Sequence, residues 1–555
     1  MSMMRNATLR EAPNYLHKWK YLRFVPSPTR KDNINATRFI SDITRPWSYY
    51  YGRRLCYSTS LSRCSPCKTS LSSILTQCHH NDSETRYLIH WRGEHKEKYS
   101  GSFRHWEFLS SLSATIADSS GMCASVVFNH LNDRAMFTNA FTYNPRRNGQ
   151  QLPASVSLCQ VEMYNQALQY VNFTTDSSGT NSSRICNEIT SENILSATAR
   201  CSLIHATFLV LADGTSYPEL VERSLLSRII EDTMQEYGAK ATTKTWRVRR
   251  HEFSFVDDDN NPRFGKESTR SVTKERGVLP HLEPILTQFG GKVDLKDPDC
   301  DIYLFEGLSD NEEGIDYLKV SSRHSLFKIL CRKLTQGASH SAMAPKTRRM
   351  RTNTPLCSIS AYLLCNIARI QKHQTILDPF AGSAATLLAA SLISPTVRVV
   401  GIEIATDEFL PRDDVRMDFT ARGVTEPVSL LEGNVMDRKT RDNAREVIGE
   451  DASFDVIITD PPYGRREAMS GGGVSVAALN DLIDVIGYDR KRGMPILRPD
   501  GGQLVAFLPC PKECEIQDLL PSEERLAAAG LQLQKKREQR LNNAISRWVL
   551  SFSSI

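Results

Sequence analysis

The distribution of apolar residues changes near residue 374 of the chain. Beyond that point, short apolar segments alternate with segments of helical periodicity, which is typical of an open parallel sheet with helices on both faces. Strands are predicted at residues 375–377, 397–402, 428–431, 454–459 and 503–508. A last pair of apolar segments, 531–535 and 546–552, favours a terminal hairpin on the same sheet. The pattern therefore predicts an α/β, Rossmann-like domain.

The upstream half of the chain has a different rhythm. Alternating or continuously apolar segments predict strands at residues 87–91, 201–211, 245–253 and 302–305, and helical periodicity occupies 217–237 and 279–288. These elements predict a mixed α+β region. Residues 145–195 are rich in Asn, Ser, Thr and Gln, so we expect a flexible insertion there.

Length and composition place the chain among globular proteins. Of its 555 residues, 40% are hydrophobic and 24% are charged, as in ordinary soluble domains. No apolar run approaches the roughly 20 residues of a membrane span, so we expect no membrane association. We predict a basic extension at residues 1–84, an α+β region at 85–340 with an insertion at about 120–195, and the α/β domain at 341–555.

The charge is concentrated at the start of the chain. Residues 1–80 contain 13 Lys and Arg but only 3 Asp and Glu, which suits either an organelle-targeting segment or a disordered extension. We otherwise expect a cytoplasmic protein. Of the 14 cysteines, only Cys64 and Cys67 have a metal-like spacing. A single such pair is weak evidence, so we predict ordinary intracellular thiols and no metal site.

The first chemical motif, residues 378–388, follows a short strand and opens a helix. Its small residues let the backbone approach a ligand and direct helix N–H groups toward it. The motif is neither a dinucleotide fingerprint nor a phosphate-binding loop. We select Asp378, Pro379, Phe380 and Gly382 as candidate ligand contacts. A tight strand-to-helix turn without a ligand is the alternative.

Two acidic residues follow at the ends of the next strands. Glu403 closes the second strand, 25 residues after Asp378, where an acid commonly binds ribose hydroxyls. Asp437 follows the third strand, where a carboxylate can accept a hydrogen bond from the amino group of an adenine ring. A surface acid is the alternative for each.

The fourth strand ends in Asp460-Pro-Pro-Tyr463. The two prolines fix the backbone and remove two N–H donors. The Asp460 carboxylate and a prolyl carbonyl then form a set of acceptors beside the aromatic plane of Tyr463. Such a site suits a planar ring with an exocyclic amine, because the acceptors take the amine hydrogens. We therefore predict Asp460, Pro461, Pro462 and Tyr463 as catalytic residues, against the alternative of a chance loop sequence.

Together these motifs resemble the class I methyltransferases that use S-adenosylmethionine and modify amino groups. The segment 460–466, with Gly464 and Arg466 after the tyrosine, resembles the extended motif of the tRNA guanine-N2 methyltransferases. Residues 291–299 resemble the end of a THUMP domain, which is an RNA-binding module. Shorter similarities at 199–205, 214–220, 537–541 and 547–550 spread the resemblance in patches over residues 85–555.

The resemblance implies a cofactor, a substrate and a partner. S-adenosylmethionine would lie across Asp378, Gly382, Glu403 and Asp437, with its sulfonium facing the fourth motif. The substrate would be tRNA and the acceptor the N2 amine of guanosine 10, a paired base that must be extruded to react. The partner would be a small zinc-binding activator subunit that covers an apolar edge of the methyltransferase domain.

Contact with tRNA also requires positive charge, because most of the affinity comes from phosphates. Arg466 belongs to the family motif, and a basic segment between the two predicted domains contains Lys346, Arg348, Arg349 and Arg351. We rank that segment first because of its position. Two further basic patches, at residues 244–250 and 535–537, are alternatives. A solvated charged face is an equally good interpretation of each.

Two departures from the family pattern leave other functions open. Ala384 stands where the family usually has a glycine, and it could crowd the ligand or strain the backbone. Thr354-Pro-Leu stands where the family usually has Thr-Ser-Met. Ala384 leaves a non-catalytic THUMP RNA-binding protein as one alternative. An adenine-N6 methyltransferase of RNA or DNA is the other, because Asp460-Pro-Pro-Tyr463 suits that chemistry too.

Overall fold

The computed structural model describes residues 86–92, 101–140, 166–173, 189–226, 228–238, 243–252, 272–308, 327–352, 355–449, 452–463, 476–541 and 545–555. All of them lie in one compact unit, residues 58–555. The sequence predictions for residues 1–84, Thr354 and Arg466 fall outside the described residues.

The described residues form strands and helices that are numbered in chain order. The strands are β1 (Tyr87–Trp91), β2 (Ala135–Asn139), β3 (Leu168–Phe173), β4 (Ile204–Gly214), β5 (Thr245–Glu252), β6 (Lys292–Val293), β7 (Cys300–Leu308), β8 (Phe327–Gln336), β9 (Thr375–Asp378), β10 (Arg398–Glu403), β11 (Ser429–Glu432), β12 (Val456–Thr459), β13 (Gln503–Pro511), β14 (Leu531–Arg540) and β15 (Ile545–Ser554). The helices are α1 (Gly101–Ser120), α2 (Ala124–Arg134), α3 (Ser191–Arg200), α4 (Tyr217–Leu226), α5 (Arg228–Tyr237), α6 (Val272–Leu286), α7 (Ser358–Ile367), α8 (Ala385–Ile393), α9 (Arg412–Thr420), α10 (Arg438–Glu446), α11 (Val476–Lys491), α12 (Ile516–Leu519) and α13 (Glu523–Ala529).

The carboxyl-terminal strands form one seven-stranded sheet in the order β11-β10-β9-β12-β13-β15-β14. Strands β9 to β13 are parallel, and β14 and β15 form an antiparallel hairpin that joins the sheet beside β13. The α/β, Rossmann-like class predicted from the sequence is confirmed. The strand order reverses between β9 and β12, and ligands of such sheets bind at the carboxyl ends beside that point.

Helices cover both faces of this sheet. Successive strand residues point to opposite faces, so Ile376 and Ile458 join one hydrophobic cluster with α7 and α8. Their neighbours Leu377 and Ile457 join a second cluster with α11 and α13. Because both faces are buried, these strands are continuously apolar rather than alternating.

The upstream elements form an eight-stranded sheet in the order β2-β3-β1-β4-β8-β7-β5-β6. Its pairs are antiparallel except where β5 meets β6 and β7. The bounds of the insertion expected at about residues 120–195 remain a prediction, but the part expected to be flexible, residues 145–195, contains β3 and the start of α3. Strand β3 pairs with β1 and buries Leu168 and Val171. Pairing between strands thus outweighs the polar composition of that segment.

A shared core joins the upstream region to the parallel sheet. Trp106 and Leu112 of α1 belong to the same hydrophobic cluster as Leu363 of α7. Inside the contact, the buried Glu107 carboxylate accepts hydrogen bonds from Ser202 N at 2.7 Å, Leu203 N at 2.8 Å and Asn366 Nδ2 at 3.0 Å. Burial raises the pKa of Glu107, and these hydrogen bonds oppose that shift. The boundary expected at residue 341 remains a prediction.

Candidate active site

Four motifs meet at the carboxyl edge of the parallel sheet. Asp378 is the last residue of β9 and Glu403 is the last of β10. Asp437 follows β11, and Asp460 comes directly after β12. Because the carboxyl ends of parallel strands share one edge, residues distant in the chain are brought together there.

The Asp378 carboxylate organises the turn after β9. Its Oδ1 accepts hydrogen bonds from Phe380 N at 3.0 Å and from Thr459 Oγ1 at 2.9 Å, and Thr386 Oγ1 donates to Oδ2. Burial raises the pKa of Asp378 to about 7, although these hydrogen bonds act in the opposite direction. Both oxygens are thus engaged by the protein. Through Thr459, Asp378 also joins the turn of residues 379–384 to the strand end that precedes Asp460.

Pro379 and Phe380 form the start of the turn. Pro379 is buried, and the half-buried Phe380 packs against the second hydrophobic cluster of the domain. Both side chains stabilise the turn by packing. Their contacts with a ligand remain predictions.

The turn itself contains two left-handed residues. Gly382 has φ +50° and donates its N–H to Glu403 Oε2 at 2.8 Å. Ala384 has φ +57° and ψ +37°, and its side chain is completely buried. A residue with a Cβ is less stable in this conformation by about 1–2 kcal/mol. The strain that the sequence suggested at Ala384 is therefore present in the backbone.

Gly382 borders open space. A Cβ built on it would have no protein atom within 4 Å, so the backbone is accessible to a ligand at this point. Glu403 is half-buried, and its Oε1 accepts a hydrogen bond from Ala405 N at 2.9 Å. A carboxylate has about four lone-pair positions, so acceptor capacity remains for hydroxyl groups. Asp437 is exposed and makes no capping hydrogen bond with α10.

The fourth motif presents a partly exposed carboxylate. The Asp460 side chain is 24% exposed, and Tyr463 donates its hydroxyl hydrogen to Asp460 Oδ1 at 2.6 Å. Burial and the neighbouring Asp460 charge raise the pKa of Tyr463. Pro461 is buried and Pro462 is half-buried. The segment thus offers acceptors toward the sheet edge and lacks two backbone donors.

Arg547 completes this motif from the antiparallel end of the sheet. It is buried on β15, where its Nη1 donates to Tyr463 Oη at 3.3 Å and lies 3.7 Å from Asp460 Oδ2. Its other nitrogens donate to Gln539 Oε1 at 2.6 Å and to Ser360 Oγ at 2.5 Å. Sequence reasoning assigned it no role. The available signal was a lone arginine in an apolar strand, since arginine is rarely buried unless paired.

The guanidinium of Arg547 also lies 3.7 Å from the ring centroid of Phe507 on β13. Contacts with an aromatic face, two polar side chains and the fourth motif leave the group little rotational freedom. Arg547 therefore fixes the orientation of Asp460 and Tyr463.

The basic residues of the segment between the two regions differ in exposure. Lys346, Arg349 and Arg351 are exposed. Arg348 is buried, and its Nε lies 3.3 Å from Asp418 Oδ2, with only 2% of the Arg348 side chain exposed. The assignment of Arg348 to RNA contact is therefore wrong, because a buried guanidinium cannot reach a phosphate.

The two alternative basic patches are also partly engaged within the protein. Arg247 pairs with Asp301, and Arg250 pairs with Glu306. The ammonium group of Lys535 lies 5.3 Å from the ring centroid of Trp106, and burial lowers its pKa to about 8. Neither patch is a freely solvated cluster of charges.

Two kinds of feature are absent from the described part of the chain. It contains no group of three or more His, Cys, Asp or Glu side chains arranged to bind a metal ion. None of its helices combines the length and the apolar character needed to cross a bilayer.

Part of the chain matches the model of a known protein family. Residues 345–473 match the UPF0020 family model, described as an RMKL-like methyltransferase domain. The chain carries a methyltransferase domain. The matched residues contain the first three motifs and the whole of the fourth, and the parallel sheet around them has the class I methyltransferase fold.

Two kinds of curated relative match part of the chain. The chain is 24% identical over 296 residues to tRNA (guanine(10)-N(2))-methyltransferase TRMT11 of Gallus gallus, covering 48% of this chain and 60% of that protein. It is 25% identical over 182 residues to U6 snRNA (guanine-N(2))-methyltransferase THUMPD2 of Mus musculus, covering 33% and 28%. The chain thus spans less than two thirds of the length of these curated relatives.

A solved structure also aligns over much of the chain. TrmN from Thermus thermophilus shares 18% sequence identity and a TM-score of 0.32, covering 70% of this chain and 90% of that one. The methyltransferase fold assigned here rests on the strand order and the family match.

Proposed function

We propose that this chain transfers a methyl group from S-adenosylmethionine to the exocyclic N2 amine of guanosine 10 in tRNA. The observation that carries the proposal is the hydrogen bond from Thr459 to Asp378. It places the acceptors of the fourth motif beside the turn that would hold the cofactor. Two groups of relatives, named as guanine-N2 methyltransferases of tRNA and of U6 snRNA, support guanine as the base.

The residues of the cofactor site fit S-adenosylmethionine. The open backbone at Gly382 gives room for the methionine part, the Glu403 carboxylate can accept hydrogen bonds from ribose hydroxyls, and Asp437 can accept one from the adenine amino group. Asp378 supports these contacts indirectly, by holding the turn. When bound, the cofactor supplies a methyl group on a sulfonium, which is already a good leaving group.

The chain's own contribution is to position and polarise the amine. The Asp460 carboxylate and a prolyl carbonyl of the same segment accept the two hydrogens of the amine, which concentrates the nitrogen lone pair toward the methyl group. As the N–C bond forms and the S–C bond breaks, charge that develops on the nitrogen is stabilised by the fixed Asp460 carboxylate, which takes up the proton that the nitrogen loses. The aromatic ring of Tyr463 supports the plane of the base. Such positioning is a large part of what an enzyme contributes to a two-substrate transfer.

A partner subunit would complete the enzyme. The resemblance implies a small zinc-binding activator, and β11 lies at the edge of the sheet next to β10. In the segment that follows β10, Ile404 is 69% exposed and Phe409 is 75% exposed. Exposed apolar side chains at a sheet edge suit contact with a protein partner. We place the activator on this edge.

The compartment is part of the same proposal. We place the enzyme in the cytoplasm, with organelle targeting by residues 1–80 as the alternative. Microscopy of the full chain with a carboxyl-terminal fluorescent tag separates the two: a diffuse cytoplasmic signal supports the first, and an organelle-confined signal that is lost when residues 1–80 are deleted supports the second.

Methyl transfer to an unmodified tRNA transcript tests the reaction. The full chain is incubated with and without the activator, and the product nucleosides are identified by mass spectrometry. We expect N2-methylguanosine, which should disappear when guanosine 10 is replaced by adenosine. Methyladenosine in the product would support the adenine-N6 alternative instead. Methylguanosine that persists after the replacement would reject position 10, and a U6 snRNA transcript run in parallel tests the other RNA substrate.

A pair of glycines tests the cofactor turn. Gly382 and Gly423 have similar backbone angles, φ +50° and +66°, and a Cβ on either would meet no protein atom within 4 Å. Each Gly→Ala change should lower the free energy of unfolding by about 1–2 kcal/mol because of the left-handed backbone. Only Gly382→Ala should also weaken S-adenosylmethionine binding, by about tenfold or more, because its methyl group enters the ligand space.

Isothermal titration calorimetry and thermal unfolding of the two variants check this prediction. Unchanged affinity in Gly382→Ala would show that the cofactor lies elsewhere. An equal loss of affinity in Gly423→Ala would show that backbone strain alone, rather than occupied space, weakens binding.

A further inference from the structure

We propose that Arg348 is a positioning residue that holds the cofactor turn in its strained conformation. This inference rests on the proposed function, since it takes S-adenosylmethionine as the ligand of the turn. Arg348 belongs to the segment between the two regions of the protein, and among the described residues its hydrogen bonds to the cofactor turn, residues 379–384, go to Ser383. Its role would therefore be exerted through the backbone and not through direct contact with the ligand.

The strained residue is Ala384. Its positive φ depends on the orientation of the preceding peptide, whose carbonyl oxygen belongs to Ser383. That orientation is disfavoured for a residue with a Cβ, so it persists only where the surroundings determine it. The turn has some intrinsic support, because Ala384 N donates to Ala381 O at 2.7 Å.

Arg348 supplies a second support at the same peptide. Its Nη2 donates to the Ser383 carbonyl oxygen, and its Nη1 donates to Ser383 Oγ at 3.2 Å. Two donors of one rigid guanidinium therefore contact the backbone and the side chain of a single residue. A planar group that binds at two points fixes orientation as well as distance.

A buried carboxylate also fixes the guanidinium of Arg348. Its Nε lies 3.3 Å from Asp418 Oδ2, and both side chains are at most 2% exposed. The other oxygen of Asp418 accepts from Arg349 N at 2.9 Å and lies 3.3 Å from Arg422 Nη1. A buried carboxylate thus compensates the charge that is directed at the turn, and the clamp is rigid.

Arg422 provides a matched control. It is also buried and also pairs with Asp418, but its other hydrogen bonds go to Ala342 O and Thr347 O. No described contact joins Arg422 to residues 381–384. Replacing either arginine leaves Asp418 with the other as its partner. Replacement of either arginine therefore removes a similar ion pair, but only replacement of Arg348 removes the hydrogen bonds to Ser383.

The experiment compares Arg348→Met and Arg422→Met in the full chain, alone and combined with Ala384→Gly. Binding of S-adenosylmethionine is measured by calorimetry, and unfolding temperature is measured in parallel. We expect both arginine variants to lose thermal stability. Only Arg348→Met should weaken cofactor binding, by about tenfold, which is about 1.4 kcal/mol.

The decisive comparison is the double variant. Glycine adopts the left-handed conformation without strain, so Ala384→Gly should restore most of the affinity lost in Arg348→Met without restoring its unfolding temperature. Arg348→Lys, which retains a charge beside Asp418 but cannot bind Ser383 at two points, should show an intermediate affinity. It also serves if the methionine variant does not fold.

The outcomes separate this role from the proposed function. If the unaltered chain does not bind S-adenosylmethionine, the proposed function fails and this role fails with it. If the unaltered chain binds, but both arginine variants lose affinity equally or glycine gives no rescue, the role of Arg348 alone is rejected.

Discussion

Replacing Asp460 with asparagine should lower the rate of methyl transfer by about a hundredfold to ten-thousandfold. Asparagine keeps the shape of the side chain but removes its charge and presents two N–H donors where the substrate amine also carries donors. Cofactor binding should change little, because in the proposed reaction Asp460 contacts the substrate amine and not the cofactor. Single-turnover transfer to saturating tRNA, together with calorimetry of S-adenosylmethionine binding, measures the two effects separately.

Asp484 offers a control for this variant. It is also an aspartate paired with an arginine, since Arg525 Nε lies 2.9 Å from its Oδ1, but its side chain is 53% exposed and lies on α11. Asp484→Asn should leave the rate within about twofold, as expected for an exposed ion pair. A loss smaller than fivefold in Asp460→Asn would remove the carboxylate from the reaction.

Replacing Arg547 with lysine should reduce the rate by about tenfold to a hundredfold, at nearly constant cofactor affinity. Lysine is a point charge on a flexible stem, so it cannot contact Gln539, Ser360 and Tyr463 at the same time. Tyr463 and Asp460 would then sample orientations that do not match the amine. The measurement is the single-turnover rate at saturating tRNA and cofactor.

A second arginine, Arg490 of α11, contacts the same hairpin and controls for stability. Arg490 donates to Gly530 O at 3.1 Å and to Ile555 O at 2.6 Å, and so anchors the far end of β14 and β15. Arg490→Lys should weaken the hairpin without changing the rate. If the two variants slow the reaction equally at equal unfolding temperatures, the effect of Arg547 is one of folding and not of position.

The sequence was most informative where a physical requirement is local. The parallel strands are continuous apolar runs bounded by polar turns, and each chemical motif directly follows one of them. Asp378, Glu403 and Asp460 could therefore be placed at one sheet edge without coordinates. The backbone strain at Ala384 was also predictable, since it follows from a Cβ in a turn where glycine is usual.

Other features depend on contacts between distant parts of the chain. Arg547 and Tyr463 are 84 positions apart, and only the pairing of β15 with β13 brings them together. Arg348 belongs to a run of basic residues that is typical of a solvated surface, and its buried partner Asp418 is 70 positions away. In the same way, the polar segment around β3 becomes a strand because β1 is available to pair with it.

The buried Glu107 contact has a mechanical consequence for the proposed reaction. The carboxylate joins α1 to Asn366 of α7, inside a hydrophobic cluster that both regions share. Any movement of the two regions relative to each other would break this contact, expose the cluster and leave a buried carboxylate without its hydrogen-bond partners. Such a movement around a substrate would therefore cost free energy. The distance from the upstream region to Asp460 is then fixed. We expect the tRNA to bend and unstack to fit that distance, while the protein keeps its shape.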